Sequence, residues 1–451
     1  MNKTVQNVGK KRIAVIGSGI SGLSAAWLLR NDAEVVLYES AERFGGHSNT
    51  VTVQEPDREI AVDTGFMVYN RPNYPLLSRL FDELGVESYA TDMSFSVSLD
   101  GGRLEYAGSN LNTVFAQRRN LFRPSFLNML GDILRFNRAA KQLLQVPEAS
   151  PEKLSRFLDR LSLGKHFRED YLYPMAAAIW SCPRDAVAEF PALSFVRFFH
   201  NHGLVNLQDR PQWRTVRGGA STYVEKMVRD LGVAARCGRT VRAVTRMQDR
   251  VGVVLDANQT EFFDEVVFAC HSDQASRLLR GASPAEQSML RAVSYQPNRV
   301  LLHSDTRLMP KRSGVWSSWN YFGGEGFNGE SSVSVSYWMN SLQDLNTANN
   351  YFVSLNPLVE PDPSKVAAEF EYQHPVFDAS NQRLAQQLAK VQGRDRVWFC
   401  GAWTGYGFHE DGMRSGVEVA LRLGAQLPWT EQLQSSSALI DRCALDVEQA
   451  A

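Results

Sequence analysis

Three residues able to hold a metal or move a proton stand side by side in GYGFHEDGMRSG, residues 405–416: His409, Glu410 and Asp411. An imidazole next to two carboxylates serves three kinds of chemistry. It can ligate a divalent cation, it can form an acid–base pair, or its acids can cap the free N–H groups of a helix start. Neighbouring residues on a helix diverge by about a hundred degrees, so they cannot converge on one ion; no metal site is expected here. The cysteines offer none either. Cys182, Cys237, Cys270, Cys400 and Cys443 are scattered, odd in number and never spaced as C-x-x-C, which argues against a zinc knuckle or a disulfide framework and fits a reducing cytosol.

A second constellation lies near the N-terminus. RIAVI, residues 12–16, reads as a buried parallel strand, short, β-branched and apolar. Gly17, Gly19 and Gly22 follow in GSGISG, then SGLSAAWLLR reads as a helix and EVVLY, residues 34–38, as the next strand, closed by Glu39. Gly17 permits the tight turn, Gly19 lets the backbone approach a pyrophosphate, and Gly22 lets the helix pack on the strand. The phosphates sit at the positive helix end, and Glu39 can accept hydrogen bonds from a ribose. The pattern predicts dinucleotide binding. GEGFNG, residues 324–329, also fits G-x-G-x-x-G, but strand-like WSSWNYF and SSVSVSYWMN flank it. It is expected to be a hairpin loop, and no second dinucleotide site is expected.

These motifs need a framework. A chain of 451 residues is too long for one core, so at least two domains are expected. Its net charge of −1 gives no field for nucleic acid. MNKTVQNVGKKRIAVIG has no apolar run of a signal peptide, and no apolar stretch reaches the length of a membrane span. A cytoplasmic protein is expected.

After Glu39 come SAERFGGHSNT and EIAVDTGFMVYN. Together with the first glycine loop they read G-x-G-x-x-G, E-x-x-x-R-x-G-G and D-x-G in order, and here the chain resembles the FAD-dependent amine oxidase family, which includes monoamine oxidases, protoporphyrinogen oxidase and phytoene desaturases. RLFDELGVESY resembles the family's next helix and turn. VRGGASTYVEKM (216–227), the strand-rich segment 239–270 and VWFCGAWTGYGFHEDGMRSGVEVALRL (397–423) resemble the later flavin motifs. The resemblance implies a Rossmann-type α/β FAD-binding domain with an inserted α+β substrate domain, and FAD held non-covalently. It implies cofactor contacts from Gly17, Gly19, Ile20, Ser21, Gly22, Glu39, Ser40, Arg43, Gly45, Gly46, His47, Gly65, Phe66, Met67, Val241, Gly401, Ala402, His409, Glu410 and Met413. It also implies a C-terminal helix whose N-terminus points at the flavin pyrimidine, which makes the His-Glu-Asp run a helix start. The FAD domain is expected at 1–75, 212–290 and 391–430, the substrate domain at 76–211 and 291–390, and a polar, loosely packed tail at 431–451.

In the substrate domain the first insertion reads as mostly helical. SPEKLSRFLDRL has Ser150 as N-cap and Pro151 at the first helical position. The second reads as strands: LLHSD, VWSSWNYF and SSVSVSYWMN. The family's cage tyrosine falls on Phe408, which keeps the wall and loses the hydroxyl. The flavin-facing lysine falls in NRVLLHSD, which has no lysine; His303 is the nearest polar residue there, as catalytic candidate or as a packed core histidine. Trp316, Trp319, Tyr321, Tyr337 and Trp338 read equally as sheet core or as an aromatic pocket wall. Residues 110–144 carry Arg118, Arg119, Arg123, Arg135, Arg138 and Lys141 against Asp132, interleaved with apolar residues. That stretch reads as a solvated helix face or as a peripheral contact with anionic lipid.

The function that follows is hydride removal from a carbon of an amine substrate to bound flavin. The alternative is a flavin desaturase or oxidoreductase acting on C–C bonds of an apolar lipid or modified fatty acid. A redox-silent FAD scaffold is a third reading, against which the intact flavin-edge motif speaks.

Overall fold

The computed structural model describes residues 9–145, 152–180, 187–206, 210–256, 259–325, 331–376 and 383–429. A five-stranded parallel sheet has the order Ala235–Arg236, Glu34–Tyr38, Arg12–Ile16, Glu265–Phe268, Val397–Phe399. RIAVI sits at its centre with both faces covered, which is why it carries almost no polar side chain. The helix Ile20–Leu29 follows it and is buried along its whole length, because it packs against both Ser221–Leu231 and the C-terminal helix His409–Arg422. The latter contact is close: a Cβ on Gly416 would lie 2.2 Å from the Ser21 carbonyl oxygen, and one on Gly412 2.8 Å from Ile20. Trp27, the one large polar side chain of the first helix, donates its indole N–H to Asp230 at 2.8 Å.

Residues 239–270 form the expected strands. Val241–Arg246, Val251–Leu255 and Thr260–Phe263 make an antiparallel meander, with the turn after Met247 closed on Arg250, before Glu265–Phe268 returns to the parallel sheet.

A seven-stranded mixed sheet has the order Val366–Val376, Ser294–His303, Phe352–Leu355, Ser331–Trp338, Trp319–Glu325, Phe95–Leu99, Leu104–Ala107. Its last two strands come from the first insertion, which was expected to be mostly helical. FSVSLDGGRLEYA alternates apolar and polar residues around an Asp-Gly turn, a hairpin signal that the helical patterning downstream outweighed. Helices between Pro124 and Asn201 pack on this end through Phe126, Phe136, Phe157, Phe167 and Phe195. The other end packs on the hairpin Thr50–Gln54/Glu59–Asp63. The strands flanking GEGFNG pair antiparallel from Trp319 opposite Tyr337 to Glu325 opposite Ser331, as in a hairpin; residues 326–330 lie outside the described residues. The helix expected from Pro151 starts instead at Leu154, with extended Lys153 before it; Ser150, Pro151 and the tail 431–451 are outside the described residues.

Candidate active site

A cavity of about 1310 Å³ runs from the carboxyl ends of the parallel strands to the mixed sheet. Its first half is built by the glycine loops. Gly17 adopts φ +104° and its N–H donates to the Tyr38 carbonyl at 2.9 Å. A Cβ on Gly22 would meet the Gly17 oxygen at 1.9 Å, so this glycine acts by packing and does not line the cavity. A Cβ on Gly19 would meet nothing within 4 Å. The helix that starts at Ile20 has no side-chain cap, so its N–H groups open onto this space. Glu39 closes the second strand and is held by Ser18, whose N–H and Oγ donate to Oε2 at 2.9 and 2.6 Å, and by the Ala41 N–H on Oε1 at 2.9 Å. Oε2 is thereby fully used, and Oε1, whose second contact is a long one of 3.4 Å from Ser40 Oγ, is the oxygen open to a ribose hydroxyl. Ile20, Ser21, Ser40 and Val241 also line this half.

The second glycine loop lies across the first. Gly45 donates to the Ser18 carbonyl at 3.1 Å, and a Cβ on Gly46 would lie 3.1 Å from Gly19 Cα. Gly46 lines the cavity and Gly45 does not. Arg43, expected to touch the cofactor, is exposed and turns back to donate to the Gly46 carbonyl at 2.8 Å, so it shapes the loop and is not part of the lining. His47 lines the cavity, and its Nε2 has no partner among the described residues. Gly65 packs so tightly over His47 that a Cβ would sit 2.2 Å from its carbonyl oxygen, and Phe66 N–H donates to that oxygen at 2.8 Å. Gly65, Phe66 and Met67 line the cavity.

The C-terminal segment answers the question posed by the His-Glu-Asp run. The three side chains diverge. His409 stacks on Phe66 at 3.9 Å and shares hydrogen bonds with Tyr223 at 2.7 Å and Ser48 at 3.3 Å. Burial lowers its pKa to about 3, so it is neutral. Glu410 accepts from the N–H groups of Leu76 and Leu77 at 2.9 and 3.1 Å, capping the helix Pro75–Glu83. Asp411 accepts from Tyr406 and Phe408 at 3.1 and 3.0 Å, capping its own helix. Only His409 of the three lines the cavity. Two residues expected at the cofactor lie outside the cavity lining: Glu410 ties two helices together, and the Met413 side chain is buried in the core beneath the first helix. Gly401 and Ala402 line the cavity as expected, and Ser415 holds the Gly401 N–H at 2.9 Å.

The far half is aromatic. Phe408 stacks on Phe198 at 5.0 Å. Trp319 and Tyr337, opposite each other across two strands, stack at 6.1 Å and line the cavity, whereas Trp316 and Trp338 pair elsewhere and Tyr321 is fully buried. Alternation puts Tyr337 and Trp338 on opposite faces of their strand, while Tyr321 shares the face of Trp319 and is covered further along it. Tyr106, Tyr171, Trp180 and Trp213 complete the wall. His303 is not in it. It is buried in the sheet, with Nε2 bonded to Ser354 at 2.7 Å and Nδ1 accepting from the Asp305 N–H at 3.1 Å, and burial lowers its pKa to about 4. The catalytic expectation for His303 is corrected to a packing role.

Sequence reasoning missed the histidines that do line the cavity. His271 follows the strand Glu265–Phe268, at the carboxyl edge where ligands of parallel sheets bind, a signal present in the sequence. His374 and His202 had none. His202 donates from Nδ1 to the Phe198 carbonyl at 2.9 Å and stacks on the Phe198 ring at 3.9 Å. Burial lowers its pKa, so the ring is neutral with Nε2 unprotonated.

Two glycine loops at an uncapped helix start and an acid at the end of the second strand fit a dinucleotide, and a long cavity runs from them to the aromatic wall. The chain belongs to the flavin-containing amine oxidoreductase family, whose model matches residues 20–423. It is an FAD-dependent oxidoreductase, and its fold is a Rossmann-type FAD-binding domain with an inserted α+β domain. Flavin-containing amine oxidase A of the dog, Canis lupus familiaris, is 40% identical over 83 residues, 18% of this chain and 15% of the dog enzyme, so the match spans a small part of that relative. A redesigned putrescine oxidase is similar over 92% of this chain and 98% of its own, with a TM-score of 0.66 at 17% identity. A conjugated-linoleic-acid-producing fatty acid isomerase of P. acnes is similar over 92% and 99%, with a TM-score of 0.65 at 13% identity. Those structural likenesses show the fold. No helix among the described residues is long and apolar enough to cross a membrane.

Proposed function

We propose that the protein oxidises a long apolar small molecule at a carbon, with segments 1–75, 212–290 and 391–430 holding FAD and 76–211 and 291–390 holding the substrate. The observation that carries this reading is the wall of the far half: Trp319, Tyr337, Phe198, Phe408, Tyr106 and Trp180 enclose it. The carboxylates lining the whole cavity among the described residues are Glu39, already assigned to the ribose, and exposed Asp92. An alkyl or polyene chain needs no polar partner on entering such a wall, whereas an ammonium group exchanges its hydration for cation–π contact alone, with no counter-ion.

FAD, when bound, would supply the hydride acceptor. The chain's own residues do the rest. Phe408 and Phe198 form one side of the slot in which the reacting carbon lies and exclude water from it. His202 presents an unprotonated Nε2, the group that takes a proton if the reaction releases one. The first turn of His409–Arg422 brings the positive end of that helix to the cavity wall and favours negative charge there.

The amine reading ranks second. The family and the names of the relatives favour it, and an amine carrying a bulky apolar group fits the same wall. The nitrogen separates the two: unbranched chains that carry none are turned over in the proposed reading and are not in the amine reading, and chain length tests the wall itself. For a series of unbranched substrates, kcat/KM rises about fourfold for each added methylene until the slot is full, at about 0.8 kcal/mol per group. A rate indifferent to chain length contradicts the proposal.

A further inference from the structure

We propose that the segment from Leu111 to Lys141 is a docking face for an anionic lipid bilayer, and that the cavity opens beside it. This goes beyond the proposed oxidation and holds for either substrate class.

Of the ten exposed large hydrophobic side chains among the described residues, five lie in this one stretch: Leu111 at 77% exposure, Phe122 at 86%, and Leu121, Leu127 and Leu134. They belong to successive elements: the short helix Leu111–Val114, the turn Arg118–Phe122 and the helix Pro124–Leu143. Phe115 and Phe126 join the first element to the last at 5.8 Å. The long helix uses its inner face, with Phe126, Met129 and Phe136, for the core. Leu127 and Leu134 stand on the opposite face at a spacing of two turns, next to exposed Arg138 and Lys141. Leucines set among cations on the outer face, continuous with Leu111, Leu121 and Phe122, form a mixed apolar and basic patch rather than scattered exposed side chains.

The charge decides what covers it. Arg118, Arg123, Arg138 and Lys141 have no carboxylate partner among the described residues. The one acid of the stretch, Asp132, is buried and occupied by Arg135 and the Gly164 N–H at 2.8 Å each. A second copy of this chain in a symmetric dimer would set these cations against their own copies. Apolar side chains that reach past a ring of arginines match the acyl boundary and headgroups of an anionic leaflet. Exposed Gly108 and Ser109, immediately before this stretch, line the cavity, so a substrate leaving the bilayer has a short path inward.

The test is sedimentation of the full-length, FAD-loaded protein with vesicles of phosphatidylcholine alone and of equal parts phosphatidylcholine and phosphatidylglycerol. Binding to the anionic vesicles that weakens with salt is expected. The double variants Leu111→Ser/Phe122→Ser and Arg118→Glu/Arg138→Glu should each lower the bound fraction about tenfold or more, with flavin spectrum and melting temperature unchanged because the altered side chains are exposed. No binding to anionic vesicles at low salt overturns the proposal. So does binding that both double variants retain, or a solution dimer that Leu111→Ser/Phe122→Ser converts to monomer. Since binding is read without turnover, its failure leaves the proposed oxidation standing, and failure of the oxidation leaves the binding result standing.

Discussion

The rings of Phe66 and His409 stack at 3.9 Å with 10° between their planes. Phe66 follows the Asp-x-Gly turn near residue 65 and His409 opens the C-terminal helix, so this contact joins two motifs more than 300 residues apart in the chain. Tyr223 and Ser48 fix the imidazole from its other edge. Both rings line the cavity. Phe66→Ala should weaken FAD binding about tenfold, the loss of roughly 1.4 kcal/mol of aromatic contact. Flavin fluorescence on dilution measures it; unchanged affinity removes Phe66 from the cofactor site.

Gly22 and Gly65 have no space for a side chain, although only Gly65 touches the cavity. Gly22→Ala forces the first helix off its strand, and Gly65→Ala pushes the turn off His47. Each should yield protein with little bound flavin and a stability lower by about 1–3 kcal/mol. The ratio of visible to ultraviolet absorbance after purification checks the first effect, and thermal melting the second.

Glu410 should matter to stability more than to hydride transfer. In Glu410→Gln one of the two backbone donors of Leu76 and Leu77 faces an amide NH₂ in place of an oxygen. Leaving a buried donor unmatched costs about 1–3 kcal/mol. The melting temperature falls, while the FAD spectrum is kept. A variant of wild-type stability that turns over slowly contradicts the capping role.

The buried histidines set an acid limit. Burial depresses His303 and His374 to about 4 and His409 to about 3, from an ordinary value of 6.5. The unfolded chain binds these protons at a higher pH than the folded one. Their contribution to stability is therefore complete above about pH 6.5 and is lost as the pH falls toward 4. His303 isolates the effect because it lies outside the cavity. Relative to the wild type, His303→Gln should lose less stability between pH 6.5 and 4, by on the order of 2–3 kcal/mol, without a change in the flavin spectrum. Parallel stability curves refute the assignment.

Much of the cofactor half was legible in the sequence because glycine spacing reports backbone geometry directly. Gly17, Gly22, Gly46 and Gly65 each stand where a Cβ collides or the backbone needs a positive φ. The misplacements share a cause. Arg43, Glu410 and Met413 lie within flavin motifs, but a motif does not say which way a side chain points, and one residue on a helix separates the cavity from the core. His303 was placed by counting to a missing lysine, while the sheet turned it inward to Ser354. His202 and the wall around Phe198 come from a helix distant in sequence, and no local pattern announces such a meeting.

The most direct test of the proposed oxidation is anaerobic mixing of the yellow protein with candidate substrates while the flavin band is watched. The account predicts that long-chain unsaturated lipids bleach the band and that short polar amines do not. Bleaching by amines, with lipids silent, contradicts it.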